Sequence, residues 1–198
     1  MTIASPQNFY LTPEEYLEME ATSDLKHEYI AGEIYAMAGA TDAHVTIAGN
    51  IFAMLLAHLR GSGCRVYISD MKVRIEEKNR FYYPDVMVTC EAEDRENNTY
   101  KKFPCLIIEV LSDSTEAFVP RSGSFGDRGD KFADYQSLSS LQESVLINTK
   151  RPRIECFRRT NEELWLLQSY ELQNKQFELT SVKFTRHINE VYEEVNNL

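Results

Sequence analysis

Cys105-Leu106-Ile107-Ile108-Glu109-Val110-Leu111 is an almost continuously apolar run broken by one carboxylate. Such a run, rich in Leu, Ile and Val, predicts a central strand over 105–111, covered on both faces. Glu109 is out of place there. A carboxylate inside a buried strand costs several kcal/mol unless it is paired or coordinates a metal. Two readings account for it: a structural ion pair or strand end, or a charge retained for chemistry.

Working outward, residues 81–90 predict a second strand. Residues 65–75 predict a third, with Val66, Ile68, Val73 and Ile75 as its apolar positions. Upstream, Ala48, Ile51, Phe52, Leu55, Leu56 and Leu59 recur at spacings of three and four before Gly61. That pattern predicts a helix with a broad apolar face. Residues 28–35 predict two short strands around a turn at Ala31-Gly32. Thr12-Pro13-Glu14-Glu15 predicts a capped helix start.

Downstream, the stretch from Ser112 to Gly129 reads as loop, followed by a helix over 130–138. Strands are predicted at 144–148, 154–158, 164–170 and 177–179. Helix, hairpin, helix, three strands, helix, strands is the order of an α+β or mixed α/β fold. No repeat or linker divides the chain, so one domain over 1–198 is expected.

The composition, 43% hydrophobic and 26% charged, is that of a soluble globular protein. No apolar run approaches the roughly 20 residues of a membrane span. The N-terminus lacks a basic-then-apolar leader pattern, so a cytoplasmic location and no membrane partner are expected. Cys64, Cys90, Cys105 and Cys156 form no C-x-x-C pair, which predicts reduced, buried thiols rather than a zinc site. The net charge of −10 counts against extensive phosphate contacts, although a local basic stripe or a bound cation can offset it.

Asp85 gives Glu109 a candidate companion. Proline marks a strand edge, start or bulge, and Pro84-Asp85 falls within the strand predicted over 81–90. If that strand pairs with 105–111, the two carboxylates converge, and hard oxygen ligands suit Mg2+, with Mn2+ as a substitute. An aspartate in a turn after proline is the plainer alternative. Lys131, at the predicted start of a helix, could orient an attacking water or screen developing phosphate charge. It could equally pair with Asp127 or Asp134 at helical spacing. His44 reads as a surface or capping residue, with phosphate contact as the alternative. No P-loop, G-x-G-x-x-G, H-E-x-x-H or G-x-S-x-G motif is present.

Taken together, Glu28 with Gly32-Glu33, Pro84-Asp85, Ile108-Glu109-Val110-Leu111-Ser112 and Asp127-Arg128-Gly129-Asp130-Lys131-Phe132 resemble the Uma-two family of restriction-endonuclease-like nucleases. That family is abundant in cyanobacteria and belongs to the PD-(D/E)XK superfamily. The resemblance implies a mixed β-sheet flanked by helices, with an N-terminal helix and hairpin. It implies Asp85 and Glu109 as metal ligands, the Val110 carbonyl completing the shell, and Glu28 as an additional acidic residue. Asp70 and Ser112 are implied as supporting or substrate-facing residues. The chain departs from the superfamily pattern where Leu111 replaces the usual lysine. Lys131 is the natural migrated lysine, with Lys72 next. A second departure is the stretch 118–126, which is longer than the family pattern.

The function expected on this resemblance is a Mg2+-dependent endonuclease hydrolysing DNA phosphodiesters, with Glu28, Asp85, Glu109 and Lys131 catalytic. The alternatives are a catalytically inactive nuclease-fold module binding nucleic acid or protein, and a hydrolase of smaller phosphate esters. A homodimer is expected by analogy alone.

Overall fold

The computed structural model of the chain describes residues 10–111 and 127–196. Helix α1 (Pro13–Glu20) opens with the expected capping box. Glu15 N–H donates to the Thr12 hydroxyl at 3.2 Å, and Thr12 N–H donates to Glu15 Oε2 at 2.8 Å. Strands β1 (His27–Ile30) and β2 (Glu33–Ala36) form the hairpin. Its turn holds Ala31 at φ 49° and Gly32 at φ 105°. Gly32 is required twice over, because a Cβ there would also stand 2.7 Å from Tyr10 Cδ1. Helix α2 (Asp42–His58) buries Ile47, Ala48, Ile51 and Leu55.

Each strand predicted over 65–75 and 81–90 is in fact two. The first divides into β3 (Arg65–Ile68) and β4 (Lys72–Ile75), the second into β5 (Arg80–Tyr82) and β6 (Val86–Thr89). The apolar positions of 65–75 change parity between Ile68 and Val73. An unbroken strand would therefore turn one pair away from the core. The chain breaks instead at Ser69, whose φ is 49°. In the second segment the break is Tyr83-Pro84-Asp85, where proline cannot donate to a ladder.

Next come β7 (Tyr100–Lys101) and β8 (Pro104–Leu111), the latter buried along its whole length. The helix expected over 130–138 is shorter: a π-helical turn, Asp127–Lys131, leads into α3 (Phe132–Tyr135). The Ser137 hydroxyl donates back to the Asp134 carbonyl at 2.7 Å, and the chain leaves the helix there. Strands β9 (Glu143–Asn148), β10 (Arg153–Arg159), β11 (Trp165–Glu171) and β12 (Gln176–Leu179) match expectation. β13 (Phe184–His187) and α4 (Ile188–Val191) complete the described chain and carried no clear sequence signal.

Two larger sheets result, ordered β2-β1-β5-β4-β7 and β11-β10-β9-β8-β6-β3, with β12-β13 as a separate pair. β8 lies antiparallel to β6 and parallel to β9. One face of the six-stranded sheet packs through Val86, Val88, Leu106 and Ile108 against α2 and the C-terminal elements. Met87 and Ile107 belong to a second core with Val73, Tyr82, Tyr135 and Leu138. The chain crosses between the sheets at both breaks, side by side: Ser69 N–H donates to the Asp85 carbonyl at 3.0 Å.

The cysteine expectation is corrected for one pair. β3 and β6 pair with Arg65 opposite Thr89, which brings Cys64 and Cys90 together one step beyond, and they form a disulfide. Proximity across a ladder, invisible in sequence spacing, decides this. Cys105 and Cys156 are buried free thiols as expected, and burial pushes the Cys105 thiol up to about 11.

Candidate metal and catalytic site

Val86 stands opposite Ile108 and Met87 opposite Ile107 in the β6–β8 ladder. One step back, the chain has just emerged from the Pro84 break, and Asp85 lies beside Glu109. Asp85 N–H donates to Glu109 Oε2 at 3.3 Å, and Val110 N–H donates to Asp85 Oδ2 at 2.7 Å. The proline break thus frees the Asp85 N–H and carboxylate from ordinary ladder pairing. Both bond to Glu109 and Val110 of the neighbouring strand instead.

Glu109 is only 3% exposed, and the Tyr135 hydroxyl donates to its Oε1 at 2.6 Å. His44, in the first turn of α2, places Nε2 3.2 Å from Asp85 Oδ2. The imidazole is largely covered, so the expectation of a surface or capping histidine is corrected. Tyr135 was not singled out from the sequence, and His44 only as an alternative phosphate contact. Their only signal was position: Tyr135 four residues after Lys131, and His44 in the first turn behind the Thr41 cap.

Glu28 and Lys131 form a second, adjoining pair. Both are buried, and Lys131 Nζ lies 2.7 Å from Glu28 Oε1. Lys131 also sits over the Tyr82 ring, 5.5 Å from its centroid, and the Tyr82 and Tyr135 rings meet edge to face. Asp134, read from sequence as a partner for Lys131, accepts instead from the Tyr82 hydroxyl at 2.6 Å and from Arg80 Nε at 3.2 Å. Among the described residues no three His, Cys, Asp or Glu side chains gather so as to hold a metal ion. Of the three carboxylates expected to converge, Asp85 and Glu109 adjoin, and Glu28 is engaged by Lys131.

The other candidates lie elsewhere. Asp70 is 80% exposed and pairs with Lys26 beside the first sheet crossing. Lys72 donates to the Tyr83 hydroxyl at 3.1 Å, and that hydroxyl donates to Glu20 Oε1 at 2.8 Å. Lys72 is thereby committed to α1. Ser112 lies outside the described residues, as does the stretch 118–126.

The donor chemistry fits a hard divalent cation. Asp85 and Glu109 carry carboxylates on adjoining stretches of chain, each taking a backbone N–H, and the Val110 carbonyl follows Glu109 in β8. Two carboxylates plus water would suit Mg2+, which retains much of its hydration shell.

Mixed sheets flanked by few helices in this arrangement make the restriction-endonuclease-like fold. It superposes on the crystal structure of "a putative nuclease belonging to DUF820" from Anabaena variabilis ATCC 29413. The TM-score is 0.67 at 15% identity, over 92% of this chain and 97% of that one. Residues 13–187 match the model of the Uma2 family, described as "Putative restriction endonuclease", and the chain belongs to that family. Two uncharacterised proteins of Synechocystis sp. (strain ATCC 27184 / PCC 6803 / Kazusa) are similar throughout. One, slr1290, is 35% identical over 92% of this chain and 91% of its own length. The other, sll1609, is 33% identical over 87% and 94%.

Proposed function

We propose that this chain is a Mg2+-dependent endonuclease acting on DNA, with Asp85, Glu109 and the Val110 carbonyl as its metal ligands. The observation that carries the reading is Glu109: a carboxylate buried in a central strand, held beside Asp85 where the neighbouring strand is interrupted. Two adjacent carboxylates repel, and a cation between them relieves that cost. When bound, a divalent cation polarises the scissile phosphate and lowers the pKa of a coordinated water.

The protein's own groups do the rest. Tyr135 and the Asp85 N–H fix the Glu109 carboxylate, and the Val110 N–H fixes Asp85 Oδ2. Lys131, aligned by Glu28, places an ammonium where it orients the attacking water and screens charge on the phosphorane. Water adds to phosphorus and gives up a proton to solvent, the P–O3′ bond breaks, the departing O3′ takes up a proton from solvent, and the products are a 5′-phosphate and a 3′-hydroxyl.

The test is nicking of plasmid and single-stranded DNA by purified protein with Mg2+ or Mn2+, against EDTA controls and Glu109→Gln. Cleavage that needs the cation and is lost in Glu109→Gln is expected. The apo variant should melt no lower than wild type, because carboxylate repulsion is relieved. Absence of cation-dependent cleavage on either substrate would overturn the enzymatic reading. A large fall in the melting temperature of apo Glu109→Gln would instead mark the carboxylate as a structural partner.

A further inference from the structure

We infer that Cys64, Cys90 and Cys105 form a thiol–disulfide exchange site, in which Cys105 displaces Cys64 from Cys90 and frees Cys64 for covalent modification. This goes beyond the nuclease reading and does not depend on it.

The arrangement starts with Pro104. Proline cannot donate to a ladder and falls where a strand begins or bulges. The β6–β8 register shifts there. Leu106 stands opposite Val88 and Pro104 opposite Thr89, which leaves Cys105 between them without a partner on β6. A bulge of this kind re-aims a side chain. Cys105 Sγ lies 3.5 Å from the Val88 carbonyl oxygen and 3.7 Å from Cys90 Sγ. Cys90 is already bonded to Cys64, so its sulfur has a second sulfur in contact. The fourth cysteine takes no part: Cys156 is fully buried, and its thiol donates to the Glu178 carbonyl at 3.9 Å.

Exchange needs an attacking thiolate, a disulfide sulfur within its reach, and a leaving thiolate that is stabilised. Cys105 supplies the first, although burial, and then the Glu143 and Glu91 charges, push its thiol up to about 11. The third condition is met around Cys64. That residue is half-buried and lines a cavity of about 210 Å3 together with Leu56, Leu59, Arg60 and Arg65. The Arg95 guanidinium donates to the carbonyl of Gly63, the residue before it. Positive charge beside a departing thiolate favours its release.

The step balances without an oxidant or a reductant. Cys105 gives its proton to water, and its thiolate forms an S–S bond to Cys90 Sγ. The Cys64–Cys90 bond breaks with its electron pair on Cys64 Sγ, which takes up a proton from water. The disulfide then ties β6 to β8, already its ladder neighbour, and releases the start of β3 at the sheet edge. Cys64 is left as a free thiol at an arginine-lined cavity, where soluble electrophiles reach it.

The experiment is native alkylation of the full chain, purified without reductant, by iodoacetamide. Lysine or arginine lies between each two cysteines, so tryptic peptides read all four separately by mass. Cys64 should become alkylated while Cys90 and Cys105 are recovered as one linked pair of peptides. Because the attacking form is the thiolate, the labelling rate should rise roughly tenfold per pH unit between pH 8 and 10. Cys105→Ala should slow Cys64 labelling at least tenfold and retain the Cys64–Cys90 bond. Cys64→Ser, treated with the thiol oxidant diamide, should form the Cys90–Cys105 bond directly. Wild type whose Cys64 stays unlabelled at pH 10 overturns the inference. Labelling that survives Cys105→Ala does so too, because hydroxide or another molecule would then be breaking the bond. A Cys64→Ser variant that leaves Cys90 and Cys105 unpaired overturns it equally, whatever Cys105→Ala does to folding.

Discussion

Glu109 takes a hydrogen bond at each oxygen, from the Tyr135 hydroxyl and from the Asp85 N–H, and these bonds orient it. A hydrogen bond to a charged group contributes about 1.5–3 kcal/mol. Tyr135→Phe should therefore lower both Mn2+ affinity and cleavage rate by roughly ten- to a hundredfold, read by calorimetry and nicking assays. An unchanged affinity would make Tyr135 a packing residue only. Lys131 lends itself to a sharper separation. Lys131→Ala should slow cleavage by at least ~100-fold, the low end of a general acid–base contribution. It also leaves Glu28 buried without that cation, so stability should fall. Adding Glu28→Gln to Lys131→Met should restore the melting temperature while cleavage stays lost. Recovery of cleavage would remove Lys131 from the mechanism.

At the scale of elements, α1 is anchored to the five-stranded sheet by a buried polar chain. Lys72 of β4 reaches the Tyr83 hydroxyl, Tyr83 reaches Glu20, and Glu20 Oε2 lies 3.0 Å from His27 Nδ1. Burial lowers the Lys72 pKa from its ordinary value, partly offset by the Glu20 charge. The unfolded chain therefore holds this proton more tightly than the folded one. Below the depressed folded pKa both states are charged and the full cost of burial applies. As pH rises through that value toward the ordinary ~10.4, the cost is relieved. Lys72→Met should thus melt above wild type at pH 7, with the gap closing as pH approaches 10 in a series of thermal melts. A gap independent of pH would refute this account.

For the whole molecule, the proposed cation links the two sheets, since Asp85 leaves the crossing from β5 and Glu109 lies in β8. A ligand at a hundred times its dissociation constant adds about 2.7 kcal/mol to the folded state. For a chain of this size that raises the melting temperature by roughly 5–10 °C. Saturating Mg2+ or Mn2+ should produce this shift in wild type and none in Asp85→Ala. An equal shift in the variant would place the cation elsewhere. No helix among the described residues is long and apolar enough to cross a membrane.

The amino-acid sequence by itself determined the elements whose signals are local. The Thr12 capping box, the Ala31-Gly32 turn, the apolar face of α2 and the buried run of β8 all depend on neighbours within a few residues. The same reading marked Glu109, because a carboxylate among Ile, Val and Leu is anomalous in any fold. It drew attention to Asp85 through the proline before it. Only the tertiary structure decided what lies across strands. The crossings at Ser69 and Pro84 send halves of apparently single strands into different sheets, though the parity change between Ile68 and Val73 was a local trace of the first. The Cys64–Cys90 bond, the reach of His44 to Asp85 and of Tyr135 to Glu109, and the commitment of Lys72 to Tyr83 all join residues 11 to 41 positions apart. Sequence periodicity reports which face a side chain occupies. Which distant side chain it meets there depends on strand order and register, and long-range pairing alone sets those.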